Sequence, residues 1–432
     1  MAQRTGPPRR DAMQRLLHRF YEPLQLLWML NPARGQCCPA PAAGEQSSDF
    51  LGRWRRFLDA LSWLCDFEHG GKTVSSVAVQ ALPSGNRFWL CCGHEAALQH
   101  LTWMLSLLED EELSLPSQQV RAISTVAVTT ISHSGDKVKR YARELSRYIA
   151  KVAVPSDVEL STETREMLRA LDQLASLSDA EELCLEAVAF AHFDSLNGVA
   201  EASIRLDGPS DWSLVKHFVV RLRSWHQKAA IAVRFAGSFR SLLQDHTISW
   251  LPLPPSRDMP PSDAKTNLMS ALKRMLKADE KERVSDLCQA MEDLRSFNFD
   301  QVFQESYSSG RLSLAVHSEV FLLEHFHEEG LFFVQNDRYI GCSKPSCYCC
   351  SLYMRYHPGN FVLRPSHGTA WVTWSPPLLS NCDAQEIRQR NLFVMNRVIE
   401  HLRRDVVNEI EHRFARRRRQ PDSTSGGYTA PS

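Results

Sequence analysis

Apolar residues recur at helical spacing along most of the first 250 residues. Between Arg53 and Leu64 they fall at Trp54, Phe57, Leu58, Leu61 and Leu64. These positions share one face of a 3.6-residue period and predict an amphipathic helix. Glu95–Leu108, Val138–Val152, Thr162–Leu174 and Asp179–Phe193 repeat the pattern, and Asp211–Leu243 is long enough for one or two helices. Thr73–Leu82 alternates instead and predicts a strand. Five prolines in the eleven residues 251–261 cannot sustain a helix and read as a stiff linker over 251–262. Helical spacing resumes over Ser262–Leu294. After Phe297 the pattern shortens, with aromatic and β-forming residues in brief runs. Leu312–Val316 reads as extended, and Leu331–Val334, Arg338–Cys342, Phe361–Arg364 and Thr369–Thr373 predict strands. Ser318–Phe326 and Cys347–Arg355 predict helices, the second stopped by Pro358-Gly359, and Ala384–Arg418 predicts a long terminal helix.

The expected organisation is therefore a mainly α-helical region over 1–250, behind a flexible leader at 1–10. The linker at 251–262 follows, then an α/β C-terminal domain over 263–419 with its core near 300–400, and a disordered tail at 420–432. Lys plus Arg and Asp plus Glu number 50 each, so the net charge is zero. That excludes a protein whose whole surface traps nucleic acid. It leaves room for a local basic patch: Arg416–Arg419 extend a helix already carrying Arg403, Arg404 and Arg413. Such a run suits a nucleic-acid or acidic partner, or nuclear import, and equally a solvated helix end. The best apolar run, Leu24–Leu30, falls far short of the roughly 18–20 residues of a membrane span. The N-terminus also lacks the apolar core of a secretory signal. The expectation is an intracellular protein, cytoplasmic or nuclear, with no membrane partner.

The twelve cysteines carry the candidate chemistry. In a reducing compartment, clustered thiols point to metal before disulfides. Cys65, Cys184, Cys288 and Cys382 are solitary and read as small buried hydrophobes, whereas Cys342, Cys347, Cys349 and Cys350 fall within nine residues. Cys91-Cys92-Gly93-His94-Glu95 with His100 lacks the H-E-x-x-H spacing and reads as core. His317-Ser318-Glu319 opens one predicted helix, and Cys347 with Cys350 opens the next as C-x-x-C. One imidazole and two thiolates give three ligands and an open position, the pattern of a catalytic zinc. A closed four-cysteine structural site without His317 is the alternative.

H-x-E followed by P-x-C-x-x-C across helix, strand and helix resembles the cytidine-deaminase-like superfamily. The wider phrase Tyr-Ile-Gly-Cys-Ser-Lys-Pro-Ser-Cys-Tyr-Cys-Cys looks most like a fungal branch related to bacterial toxin-type deaminases. Ser346 departs from the pattern, which has cysteine directly after proline. The superfamily's first two strands have no evident counterpart just before His317. The resemblance implies a three-layer α-β-α fold, Zn2+ held by His317, Cys347 and Cys350, and Glu319 as general acid/base. It implies hydrolytic deamination of cytosine or adenine in a nucleotide or single-stranded nucleic acid. A catalytically inactive deaminase fold that binds or regulates, with a structural zinc, is the rival, and another zinc hydrolase reaction on the same scaffold is a third reading. Ser343, Lys344 and His367 are candidate substrate contacts, and Trp371 and Trp374 read as core or pocket lining.

Overall fold

A computed structural model of the chain describes residues 12–30, 49–71, 73–110, 113, 115–152, 162–190, 196, 211–263, 265–294, 299–307, 312–377 and 385–412. The expected leader and tail lie outside the described residues, as do Cys37, Cys38, Cys382, Arg413 and Arg416–Arg419. The longer helices are α1 (Ala12–Leu30), α2 (Phe50–Leu64), α3 (Ala96–Leu108), α4 (Pro116–His133), α5 (Gly135–Ile149), α6 (Thr162–Ser176) and α7 (Ala180–Ala189). They continue as α8 (Asp211–Ala236), α9 (Leu268–Met275), α10 (Val284–Leu294), α11 (Phe299–Ser306), α12 (Ser318–Glu328), α13 (Tyr348–Tyr356) and α14 (Gln385–His412). The strands are β1 (Ser76–Leu82), β2 (Gly85–Cys92), β3 (His246–Pro252), β4 (Arg257–Asp258), β5 (Ser313–Leu314) and β6 (Gly341–Cys342). The chain is thus mainly helical, with one small mixed sheet of four strands and a second of two. Among the described residues, no helix is long and apolar enough to cross a membrane.

Two compact units divide these elements. One takes residues 12–30, 254–320 and 346–412, and the other takes 49–253 and 321–345. The chain passes from the first to the second inside α12, after Val320, and returns after Pro345.

In the unit of 49–253 and 321–345, Asp49 caps α2 by accepting from Gly52 N–H at 2.7 Å. The apolar face anticipated for α2 is buried: Trp54, Phe57, Leu58 and Leu61 are all within 1% of full burial. The rings of Trp54 and Phe57 join those of Phe88 and Phe239, with centroids 4.9 to 6.5 Å apart. Helix α8 packs against α2, α4, α5 and α7 and forms the helical centre of this unit.

The larger sheet runs β3-β2-β1-β6. The predicted strand at Thr73–Leu82 is β1, and it pairs antiparallel with β2 in a tight hairpin from Ser76↔Cys91 to Leu82↔Gly85. Gly85 closes the turn with φ +102, and a Cβ there would stand 2.4 Å from the Asp245 carbonyl oxygen, so only glycine fits. Strand β3 adds parallel to β2. Its last two residues are the first two of the proline-rich stretch, which also contains β4 at Arg257–Asp258. Strand β6 pairs antiparallel with β1 through Ser76↔Cys342 and Val77↔Gly341. Helix α2 crosses it so closely that a Cβ on Gly341 would lie 2.6 Å from the Leu58 carbonyl carbon. Asp59 fastens the crossing by accepting from Tyr339 O–H at 2.7 Å and from Cys342 N–H at 3.1 Å.

In the other unit, α1 lies along α14. Glu22, 3% exposed, takes a two-pronged ion pair from Arg274 at the end of α9, at 2.6 and 2.9 Å. Helix α13 packs on α14, where Tyr348 O–H donates to Asp405 at 2.7 Å. Arg403 is half-buried beside Arg19, Glu22 and Arg274, and Arg404 donates to His401, so these two members of the expected basic face already have neighbours.

Three predicted strands are not strands. At Leu331–Val334 only Phe333 makes a bridge, to Gln80. The chain then turns as a short 3-10 helix, with Gln335 and Asn336 both at φ +55. Phe361–Arg364 has no ladder partner among the described residues, and Thr369–Thr373 spends its carbonyls singly. Thr369 O accepts from Tyr348 N–H and Thr373 O from Ala315 N–H. Of Arg338–Cys342 only Gly341–Cys342 is paired. β-forming composition marks these segments as extended, but pairing is decided by long-range neighbours that local pattern does not encode.

Candidate metal centre

The site lies wholly in the unit that holds α1, α13 and α14. Cys347 is the N-cap of α13, with extended backbone angles, and its sulfur accepts from Cys350 N–H at 3.4 Å. That cap turns the first α13 turn so that residues three apart share one side, bringing Cys347 and Cys350 together. Ser346, the residue that departs from the superfamily spacing, is held outside the helix. Its N–H donates to Pro365 O at 2.9 Å, and its carbonyl accepts from His367 N–H at 3.1 Å. The 365–369 loop thereby clamps both flanks of Cys347.

His317 immediately precedes α12 and brings Nδ1 to 3.6 Å from Cys347 Sγ and 3.4 Å from Cys350 Sγ. The three ligand atoms all lie within 4.8 Å of one another. A tetrahedral zinc with bonds of about 2.1 Å to nitrogen and about 2.3 Å to sulfur has N···S edges near 3.5 Å. The residues therefore fit zinc in distance as well as in donor chemistry. Among the described residues this is the group able to hold a metal ion, and it excludes Cys342 and Cys349. Cys342 sits in β6 of the other unit, and Cys349 lies near Tyr21.

Electrostatics separates the two thiols. Burial opposes ionisation of Cys347, but hydrogen bonding from Cys350 and the neighbouring His317 outweigh it and pull the thiol down to about 6. Cys350 is pushed up by burial, by Cys347 and by the carboxylate of Glu319. Glu319, in the first turn of α12 and 3% exposed, is a hydrogen-bond neighbour of Cys350. Cys347 and Cys350 are also buried, and His317 is the member of the group with partial exposure.

The other expected residues fall elsewhere. Ser343 and Lys344 extend the β6 contact in the other unit. Ser343 N–H donates to Ser75 O at 2.9 Å, and Lys344 Nζ donates to Gly70 O and lies 4.0 Å from Asp66. His367 belongs to the clamping loop, its Nδ1 accepting from Thr369 N–H at 3.1 Å. His100 is core, as expected: it meets Phe67, Trp103 and His133 and bonds Thr130 at 3.1 Å. What sequence reasoning missed is the part played by Trp374, whose indole N–H donates to Cys350 Sγ at 3.1 Å. No local signal marks a tryptophan 24 residues downstream as a neighbour of this thiol.

Residues 316–378 match the family model described as OTT_1508_deam:-like deaminase. This segment is therefore similar to a deaminase family. It contains the whole metal-capable group, Glu319 and Trp374. No curated protein and no solved structure matches the chain.

Proposed function

We propose that the deaminase-like segment catalyses zinc-dependent hydrolytic deamination of a nucleobase, cytosine or adenine, within a nucleotide or single-stranded nucleic acid. The observation that carries this reading is the convergence of His317 Nδ1 and the Cys347 and Cys350 sulfurs at tetrahedral-edge distances, beside the Glu319 carboxylate. Zinc bound there supplies a Lewis acid that makes water reactive at neutral pH. Glu319 takes a proton from the water whose oxygen adds to the amino-bearing ring carbon. It hands that proton to the adjacent ring nitrogen and then moves a second one to the departing amine. The C–N bond breaks, ammonia leaves, and cytosine becomes uracil or adenine becomes hypoxanthine. The hairpin β1–β2, beside β6 in the order β2-β1-β6, supports a superfamily-type sheet whose first two strands come from far upstream. The three-layer arrangement belongs to this proposal.

Zinc per chain tests the reading, in wild type and in His317→Ala and Cys347→Ala. About one zinc in the wild type, lost in both variants, supports the open site, and a base-deamination screen with Glu319→Ala as the inactive control follows. A wild type without zinc, or zinc indifferent to His317→Ala, overturns it. The 3% exposure of Glu319 favours one rival, a binding protein with a structural zinc. That rival predicts full zinc loading and no deamination in the wild type. His367 remains a proposed substrate contact, to be read as a KM change with zinc content unaltered.

A further inference from the structure

Trp374 is the largest side chain in direct polar contact with the metal-capable group, and it is fully buried. Its indole edge is fixed from several directions. Phe20 lies 5.4 Å away centroid to centroid and Tyr353 lies 6.1 Å away, both tilted against the ring. Tyr21 O–H donates to the Trp374 carbonyl at 3.0 Å. Trp374 N–H donates in turn to Trp371 O at 3.1 Å, closing a tight turn. The same residue bridges to Ala315, two positions before His317. On either side of that bridge, Ala315 N–H donates to Thr373 O and Ser375 N–H donates to Ala315 O, both at 2.8 Å. Trp374 thus binds a thiol ligand through its side chain, while its two chain neighbours, Thr373 and Ser375, hold the segment that delivers the imidazole ligand.

An N–H donor aimed at a coordinating sulfur fixes the sulfur's direction and withdraws charge from it. Outer partners of this kind tune affinity and the charge left on the metal. Burial leaves the indole N–H no water to turn to, so this bond is its means of satisfaction. We propose that Trp374 is a positioning residue of the metal centre: it aims and polarises the Cys350 sulfur and registers that sulfur against the segment carrying His317. The proposal rests on the zinc-site reading above and adds to it the residue that sets the site's ligand field.

The test uses the full chain loaded with Co2+, whose thiolate-to-metal charge-transfer band reports on the sulfurs without any assay of activity. Trp374→Phe retains a ring between Phe20 and Tyr353 and removes the donor. Replacing Trp374 by its benzothiophene analogue, nearly identical in shape and lacking the N–H, serves where the phenylalanine variant does not fold. In either variant the expected results are one metal per chain, a charge-transfer band moved to longer wavelength, and affinity in a chelator competition weakened about 10–100-fold. A folded variant with the wild-type band and affinity overturns the proposal while leaving the metal site standing. A wild type that takes up no Co2+ and no zinc overturns the proposal and the zinc reading together.

Discussion

Burial, reinforced by the neighbouring His133, holds the His100 imidazole neutral, its pKa drawn down from 6.5 to about 3. Below about pH 6.5 the unfolded chain takes up a proton that the folded chain refuses until about pH 3. Stability must therefore fall as pH falls through that window. In His100→Gln this contribution is gone. The urea midpoint of wild type is expected to drop further between pH 7 and pH 5 than that of the variant, and identical pH dependence would show that His100 already shares its proton with solvent. A single residue is also where the metal site was most legible. Cys347 and Cys350 are three residues apart at a helix start, and helix geometry converts that spacing into proximity, whereas the approach of His317 to them depends on the fold of the intervening chain. Trp374 was not legible, because its contact with Cys350 depends on how a loop returns.

At the scale of elements, the crossing of α2 over β6 is a tight joint. Gly341→Ala places a methyl carbon against the Leu58 carbonyl, a backbone atom with no rotamer to yield. The expected cost is about 1–3 kcal/mol, read as a lowered denaturant midpoint with an unchanged slope. Asp59→Asn leaves the space intact but weakens acceptance from Tyr339 O–H and Cys342 N–H, so a smaller loss is expected; a larger loss than in Gly341→Ala would place the strength of the joint in its hydrogen bonds. The joint between α1 and α9 is ionic. Burial pushes the Glu22 carboxyl up and Arg274 opposes it. Arg274→Met should cost about 3–5 kcal/mol by stranding a buried carboxylate, and Glu22→Gln added to it should recover part of that loss in a double-mutant cycle. Helices such as α2, α3 and α6 were legible because an apolar stripe is a local property. Strand β6 was legible as part of Arg338–Cys342, whereas β2 and β3 were not, since β3 finds its parallel partner 160 residues upstream, as in Asn86↔His246.

The whole molecule inverts the division that the proline-rich stretch suggests. Residues 321–345 lie between the two ligand-bearing helix starts, yet they find sheet, hydrogen-bond and ion-pair partners in 49–253. Strand β6 lies on β1, Phe332 O accepts from Ala81 N–H, Asp337 pairs with Arg55 at 2.7 Å, and Lys344 approaches Asp66. A fragment of residues 263–419 would contain all three metal ligands and Glu319 but none of these partners. In it β6 is a two-residue strand with nothing to pair to, and Phe326 and Phe333, buried in the full chain, lose much of what covers them. Unpaired backbone and exposed aromatic surface both argue against cooperative folding. The fragment is therefore expected to bind zinc weakly or not at all and to show no sharp unfolding transition. Co-expression with residues 1–253 should restore about one zinc per chain, because that segment carries α1 as well as β1, Arg55, Asp59 and Asp66. A fragment that melts cooperatively and holds one zinc by itself would show instead that the N-terminal residues are a separate body, and that β6 pairs with β1 without needing it.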